Sequence, residues 1–284
     1  MTDEALSKLL NRQVLDNLMR EDLTSFIQRC FQTVSPGSSY IHNWHVEVIA
    51  GRLEQCLSGT IKRLIITLPP RSLKSISASV AFPAWVLGHD PTTRIICASY
   101  AIDLAAKHAR DCRAVVDSDW YQRVFPKTRL NRNKNTELEF STTRKGFRLT
   151  TSVGGTLTGR GGNIIIVDDP LKASDALSDA KRDGANDWFR NTLFSRIDDK
   201  NSDCIIIIMQ RLHPDDLVGH LLSSGADWVH LNLPAISEER ELFDLGNGRV
   251  FTREPGAVLH SDRESLETLE QIKQIMGSYE FSSQ

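Results

Sequence analysis

The sequence lacks most of the features that would classify it at once. Its 284 residues hold five cysteines, Cys30, Cys56, Cys97, Cys112 and Cys204, and no C-x-x-C pair. An odd, dispersed set excludes a disulfide framework and a zinc spacing, and reads as reduced thiols used as core filler. No apolar run approaches the roughly 20 residues that a membrane-spanning helix needs. The opening MTDEALSKLL is acidic and amphipathic, unlike a secretory leader. Neither charge sign dominates: 34 Lys and Arg face 36 Asp and Glu, a formal charge of -2. Any surface that binds a polyanion must therefore be local. There is no internal repeat and no low-complexity segment. What remains is ordinary globular composition, 40% hydrophobic and 25% charged, enough for one large α/β core and an appendage.

Hydrophobic periodicity supplies the layout. Residues 4–33 show helical spacing through Leu9, Leu10, Val14, Leu15 and Leu18, and 34–40 form a loop. A helix over 43–58 leads into a strand over 61–68. Further strands are expected at 94–99, 163–168, 204–208 and 228–236, with helices to about Leu87, over 101–117, over 178–195 and from about Pro214. Runs at 137–141 and 146–151 alternate polar with apolar and predict a hairpin. Past 236 the chain is charged and loop-rich, apart from a short amphipathic helix over 265–276. Continuous apolar strands separated by helices mean a mostly parallel sheet covered on both faces.

Glycine is missing where it would be most telling. The stretch LIITLPPRSLKSISASVAF, 64–82, runs strand, tight turn, Lys-Ser, helix. A phosphate loop reads G-x-x-x-x-G-K-[ST]. Aligning Lys74-Ser75 on its end places Leu68 and Leu73 at the glycine positions. The physical needs are backbone N–H groups at a helix start, a lysine for the phosphates and a hydroxyl for Mg²⁺. Lys74 and Ser75 satisfy two of them, Pro69 and Pro70 stiffen the turn, and Arg71 adds a cation. If Leu73 has positive φ, its strain is about 1–2 kcal/mol. The competing reading is a structural turn with a surface lysine.

A second motif bears on that choice. The strand NIIIVDDP ends in Asp168 and Asp169. An acid pair at the carboxyl end of a buried strand can hold Mg²⁺ with one carboxylate and polarise water with the other. Asp-Asp-Pro is also good turn chemistry. After the next strand comes Met209-Gln210-Arg211. There Gln210 could sense a γ-phosphate and Arg211 could touch phosphate or DNA, or both could be solvated strand-end residues. GGTLTGRGG, 154–162, predicts a mobile loop near a ligand with Arg160 at its tip as a candidate for a neighbouring subunit's site, or else a plain connector. Residues 129–148 carry RNRNK and TTRKGFR, a basic stretch that could face DNA phosphates or form a solvated hairpin. His213-Pro214-Asp215-Asp216 reads as a helix N-cap.

PPRSLKS, AFPAWVLGHDP, SYAIDLA, GGTLTGRGG, IIIVDDP, MQRLHPDDLVGHLL and GSYEFSSQ together resemble the large terminase subunit of tailed bacteriophages, from about residue 40 to the end. The resemblance implies a P-loop NTPase of the ASCE type (additional strand, catalytic glutamate). It divides the chain into a helical N-terminal lead over 1–40, an ATPase domain over 41–236 and a linker region over 237–284. It implies ATP and Mg²⁺ as ligands and hydrolysis coupled to packaging of double-stranded DNA. The cofactor-binding set would be Pro70, Arg71, Ser72, Leu73, Lys74 and Ser75, with Trp44 near adenine or, alternatively, a buried helix tryptophan. Ser75 and Asp168 would hold the metal. Asp169, Arg71 and Gln210 would be catalytic, Asp169 standing where many members have glutamate, about 1.5 Å shorter. Leu73 departs from the family, which usually keeps glycine there. Implied partners are the portal protein, the small terminase subunit and other copies in a ring on the procapsid. The implied location is the bacterial cytoplasm and the portal vertex, with no membrane association. The family's nuclease follows the GSYEFSSQ-like stretch, so no nuclease activity is expected from these residues. Two alternatives stay open: another ASCE nucleic-acid translocase, and a catalytically weak or inactive prophage remnant.

Overall fold

In the computed structural model, residues 3–277 and Phe281 are described. Most of GSYEFSSQ lies outside the described residues. The helical stretch expected over 4–33 is two helices, α1 (Asp3–Glu21) and α2 (Leu23–Val34). Asp22 divides them: its carboxylate accepts from the Ser25 amide at 2.8 Å and caps α2. Along α2, Leu23, Phe26, Ile27 and Cys30 are buried. On α1, Leu10, Val14, Leu15 and Leu18 stay exposed.

Next come α3 (Trp44–Leu57), β1 (Arg63–Thr67) and the phosphate-loop candidate. The helix beyond it is not uniform. A π-helical turn over Ile76–Ala81 runs into α4 (Phe82–His89). Pro83 in the first turn of α4 has no N–H to offer the Ser79 carbonyl, so α-helical pairing is broken at that point. Then follow β2 (Arg94–Ser99), α5 (Ile102–Val116), α6 (Asp119–Val124), β3 (Leu130–Asn135), β4 (Glu139–Thr142) and β5 (Phe147–Ser152). The rest of the sheet and its cover are β6 (Ile164–Asp168), α7 (Asp179–Trp188), β7 (Cys204–Met209), α8 (Leu217–Ser223) and β8 (Val229–Asn232). After them come a hairpin, β9 (Glu241–Gly246) and β10 (Arg249–Arg253), and a last helix, α9 (Leu266–Met276).

The central sheet has eight strands in the order β3-β4-β5-β2-β6-β7-β1-β8. From β5 to β8 every pairing is parallel, while β3 and β4 are antiparallel. The expected hairpin is therefore β4 and β5, built into the main sheet, and β3 extends it to an unforeseen edge. β6 and β7 are buried along their whole length, as two covered faces require. Leu64, Ile66, Ile206 and Ile208 point to one layer, with α2 to α5, and Ile65, Ile205 and Ile207 to the other, with Trp188, Phe189, Leu217 and Val218. β7 lies between β1 and β6, the strand added between phosphate loop and acid pair in the ASCE arrangement. The fold is thus α/β of the P-loop NTPase type.

The hairpin β9–β10 was hidden in sequence by its alternating charges. Its inward Phe243 and Phe251 pack on Trp44, with Phe251 stacked at 4.3 Å between centroids and Phe243 at 4.8 Å. Leu23 near one end of the chain and Leu259 near the other belong to one core.

Candidate active site

Parallel strands end their carboxyl termini on one side of the sheet, and ligands of open α/β sheets bind there. β1 delivers the loop 68–75 to that side, and β6 delivers the acid pair. The two meet. Lys74 Nζ donates to Asp169 Oδ1 at 2.8 Å, and Ser75 Oγ donates to Asp168 Oδ1 at 3.1 Å. Lys74 and Asp168 are buried, at 7% and 2% exposure. The main-chain N–H of Gln210, just after β7, donates to Asp169 Oδ1 at 3.3 Å. Asp169 is tied to both neighbouring strand ends, its N–H donating to Ile208 O and its carbonyl accepting from the Tyr100 amide.

Backbone strain collects in this place. Five non-glycine residues among those described have positive φ, and three of them are Arg71 (60°), Leu73 (62°) and Asp169 (47°). Left-handed backbone at such residues costs about 1–3 kcal/mol each and persists where surrounding structure over-determines it. The Leu73 conformation is the one a glycine would adopt freely. Its side chain does not fill the cradle. It packs on the main core and lines a cavity of about 190 Å³ with Phe31, Tyr40, Ile41, His260 and Arg263, to which neither Lys74 nor the acid pair contributes.

The loop itself is built to receive an anion. Among the described residues, the N–H groups of Arg71, Leu73, Lys74 and Ser75 make no hydrogen bond, and Lys74 and Ser75 open a helix. The Arg71 side chain is exposed, and its guanidinium makes no hydrogen bond or ion pair among the described residues. Ser72 is buried and its carbonyl accepts from His45 Nε2 at 3.2 Å. The Arg71 carbonyl accepts from Arg263, so a segment distant in sequence holds the loop from outside.

Burial sets the electrostatics. It raises the carboxyls of both Asp168 and Asp169, Asp169 further through Asp168 beside it, while Lys74 opposes the rise in both. Two neighbouring buried carboxyls with one lysine between them are a site for added positive charge. The His108 imidazole lies 3.4 Å from Asp168 Oδ2, and burial lowers it to about 4. The donor set therefore fits a polyphosphate with a divalent cation: unpaired amides, a buried lysine, and a hydroxyl against a buried carboxylate.

Other sequence expectations are corrected. Trp44 is a packing residue: Phe251 covers one face of its ring, and Arg253 sits 5.9 Å from the ring centre, leaving it committed to the hairpin instead of to adenine. Arg160 is not a projecting finger. It pairs through both terminal nitrogens with Glu139, at 2.7 and 3.1 Å, and lies 4.7 Å over the Phe147 ring. The loop is packed only after Arg160, where a Cβ at Gly161 would meet Asp198 and one at Gly162 would crowd Arg94 O at 3.1 Å, while Gly154, Thr156, Thr158 and Gly159 are exposed. Arg211 is bound to the buried Asp216, which caps α8 through the Gly219 amide. Ser79, His108 and Arg263 were not singled out from sequence, nor was His45 given a role; Arg148 closes the basic stretch 129–148 expected to face DNA phosphates or solvent, and the structure buries it instead. Of the first three, only Ser79 left a signal in sequence, four residues after Ser75 and so on the same helical side.

No protein-family model matches the chain, and no curated protein matches it. Solved structures do. A mutant of the Thermus phage P74-26 large terminase ATPase domain is 17% identical, covering 63% of this chain and 68% of that one at a TM-score of 0.42. The HK97 bacteriophage large terminase is 12% identical over 76% of this chain, at 0.49, and this chain spans 44% of its length. The bacteriophage Phi-29 viral genome packaging motor is 9% identical over 79% of this chain and 62% of that one, at 0.35. The chain is similar, at the level of fold, to the ATPase part of phage large terminases.

Proposed function

We propose that the chain hydrolyses ATP as the motor subunit of a phage DNA-packaging terminase and moves double-stranded DNA into procapsids. The observation that carries the ATPase reading is the meeting of Lys74 and Ser75 with Asp168 and Asp169 at the carboxyl ends of β1 and β6. The packaging reading rests on the motif resemblance. In this reading the amides of Arg71, Leu73, Lys74 and Ser75 cradle the phosphates, and Lys74 and Arg71 neutralise their charge. Ser75 and Asp168 would hold Mg²⁺, which when bound would supply positive charge against the phosphates. Asp169 orients the attacking water in line with the γ-phosphate. Its contact with the Gln210 amide ties the water-orienting carboxylate to the end of β7, a route from hydrolysis to motion. The cavity lined by Phe31, Tyr40, Ile41 and Leu73 beside the loop takes the nucleobase in place of Trp44. Portal protein, small terminase subunit and further copies in a ring complete the machine at the portal vertex.

Steady-state ATP turnover of the wild type and Lys74→Ala tests this. Loss of about 10²–10³-fold in kcat, the scale of one electrostatic donor, is expected for the variant. Equal rates, or no turnover in either protein even with portal-bearing procapsids, would leave a nucleotide-binding remnant. Stimulation by single-stranded DNA but not by procapsids would favour a helicase-like translocase.

A further inference from the structure

Arg148 on β5 is 1% exposed, and among the described residues it has no carboxylate within ion-pair distance. Its Nη1 donates to Thr150 Oγ1 at 2.6 Å, its Nη2 donates to the Ser79 carbonyl at 3.0 Å, and its Nε is unpaired. Burying a guanidinium without a contacting anion is costly, so the residue needs compensation nearby. Ser79 provides the link. Its hydroxyl donates to Asp168 Oδ2 at 2.7 Å, so one serine joins the buried cation to the buried acid. The Ser79 carbonyl is free for Arg148 because α-helical pairing would need the N–H of residue 83, which is proline.

Both carboxylate oxygens of Asp168 are then assigned. Oδ2 is held by Ser79 with His108 beside it, and Oδ1 lies against Ser75, the hydroxyl of the phosphate loop. The Ser99 hydroxyl secures the Asp168 main-chain carbonyl. With one oxygen fixed from behind and the backbone fixed from the side, the carboxylate cannot turn, and Oδ1 is the oxygen offered to a ligand.

We propose that Ser79 and Arg148 are positioning residues that orient the Asp168 carboxylate toward a divalent cation at Ser75. This rests on the nucleotide-hydrolysis reading above. Outer hydrogen-bond partners of metal ligands are typically worth about 10–100-fold in metal affinity. The test is the affinity for a fluorescent ATP analogue, measured with Mg²⁺ and again with EDTA, in the wild type, Ser79→Ala, Ser79→Thr and Arg148→Lys. Ser79→Ala should lose about tenfold or more of the Mg²⁺-dependent gain, with EDTA affinity unchanged. Ser79→Thr, which keeps the hydroxyl, should restore it, and Arg148→Lys should fall between. Ser79→Ala deletes one oxygen and keeps the carbonyl that satisfies Arg148, so a folded variant is available whether or not Arg148 tolerates change. An unchanged Mg²⁺ gain in Ser79→Ala, or an equal loss with and without Mg²⁺, overturns the positioning role while leaving the ATPase reading intact. A wild type that binds no nucleotide overturns both.

Discussion

Lys74 and Asp169 hold one another at 2.8 Å across two strand ends, and each keeps the other tolerable in a buried setting. Around this pair the left-handed residues Arg71, Leu73 and Asp169 show what a tight strand-to-helix loop without glycine requires. The same φ values that glycine reaches freely are imposed here on an arginine and a leucine. Arg71 separates the two consequences, since its side chain is exposed and its strain is local. Arg71→Gly should lose no stability and gain up to about 1 kcal/mol in denaturant unfolding, because relieved strain exceeds the added unfolded-state entropy. Turnover should fall in the same variant, because the free cation beside the phosphates is gone. A variant less stable than wild type would show that Arg71 is not strained. The Lys-Ser pair and the acid pair could be picked from sequence because each is a short motif with fixed chemistry. Ser79 and Arg148 could not, since their meaning lies in a contact between residues 69 positions apart.

At the scale of elements, the phosphate loop is braced by segments that sequence patterning did not connect to it. His45 of α3 donates from Nε2 to the Ser72 carbonyl, and Arg263 grips the Arg71 carbonyl. His45 is fully buried, faces His260, with Arg263 and His42 nearby, and its imidazole is lowered to about 4, first by burial and then by His260. The neutral ring is therefore native. Above pH 6.5 the folded and unfolded chains agree in leaving it unprotonated. Between pH 6.5 and about 4 the unfolded chain binds a proton that the folded one resists, so stability falls with pH across that window and levels below it. The loss amounts to about 3 kcal/mol. Denaturant unfolding at pH 7.5, 5.5 and 4.5 checks it, and His45→Asn should flatten the slope over that window. An acid limb of the same steepness in the variant would assign it to other groups. Periodicity identified α3 and the loop as elements. It missed β9–β10 because charged residues alternate with Phe243 and Phe251 over too short a run, and it merged α1 with α2 because Asp22 continues a helical pattern that its side chain in fact interrupts.

At the scale of the whole molecule, a formal charge of -2 conceals separation of charge. Lys127, Arg129, Arg132, Arg144 and Lys145 are exposed around the edge strand β3 and the turn before β5. The acids beside them are already engaged, Glu137 by Arg110 and Glu139 by Arg160. β5 begins opposite the beginning of β2, so this turn lies at the amino ends of the parallel strands, across the sheet from Asp168. Nucleotide and duplex DNA would thus have opposite ends of one sheet. Reversing Arg132 and Lys145 to glutamate should weaken binding of a duplex oligonucleotide and lower the slope of log K against log salt by about 1–2, the number of phosphate contacts removed. A salt slope identical to wild type would locate DNA elsewhere. No helix among the described residues is long and apolar enough to cross a membrane.

The sequence by itself determined the class of sheet, because buried parallel strands must be continuously apolar, and it marked Lys74-Ser75 and Asp168-Asp169 as candidates, because each is a short, chemically distinctive motif beside such a strand. Only the tertiary structure decided which residues surround them. It put β7 between the loop strand and the acid strand, turned Trp44 to the hairpin and Arg160 to Glu139, and set Ser79 and Arg148 behind Asp168. Such choices depend on long-range packing and on the compensation of buried charge, and neither has a period or a spacing that can be read along the chain.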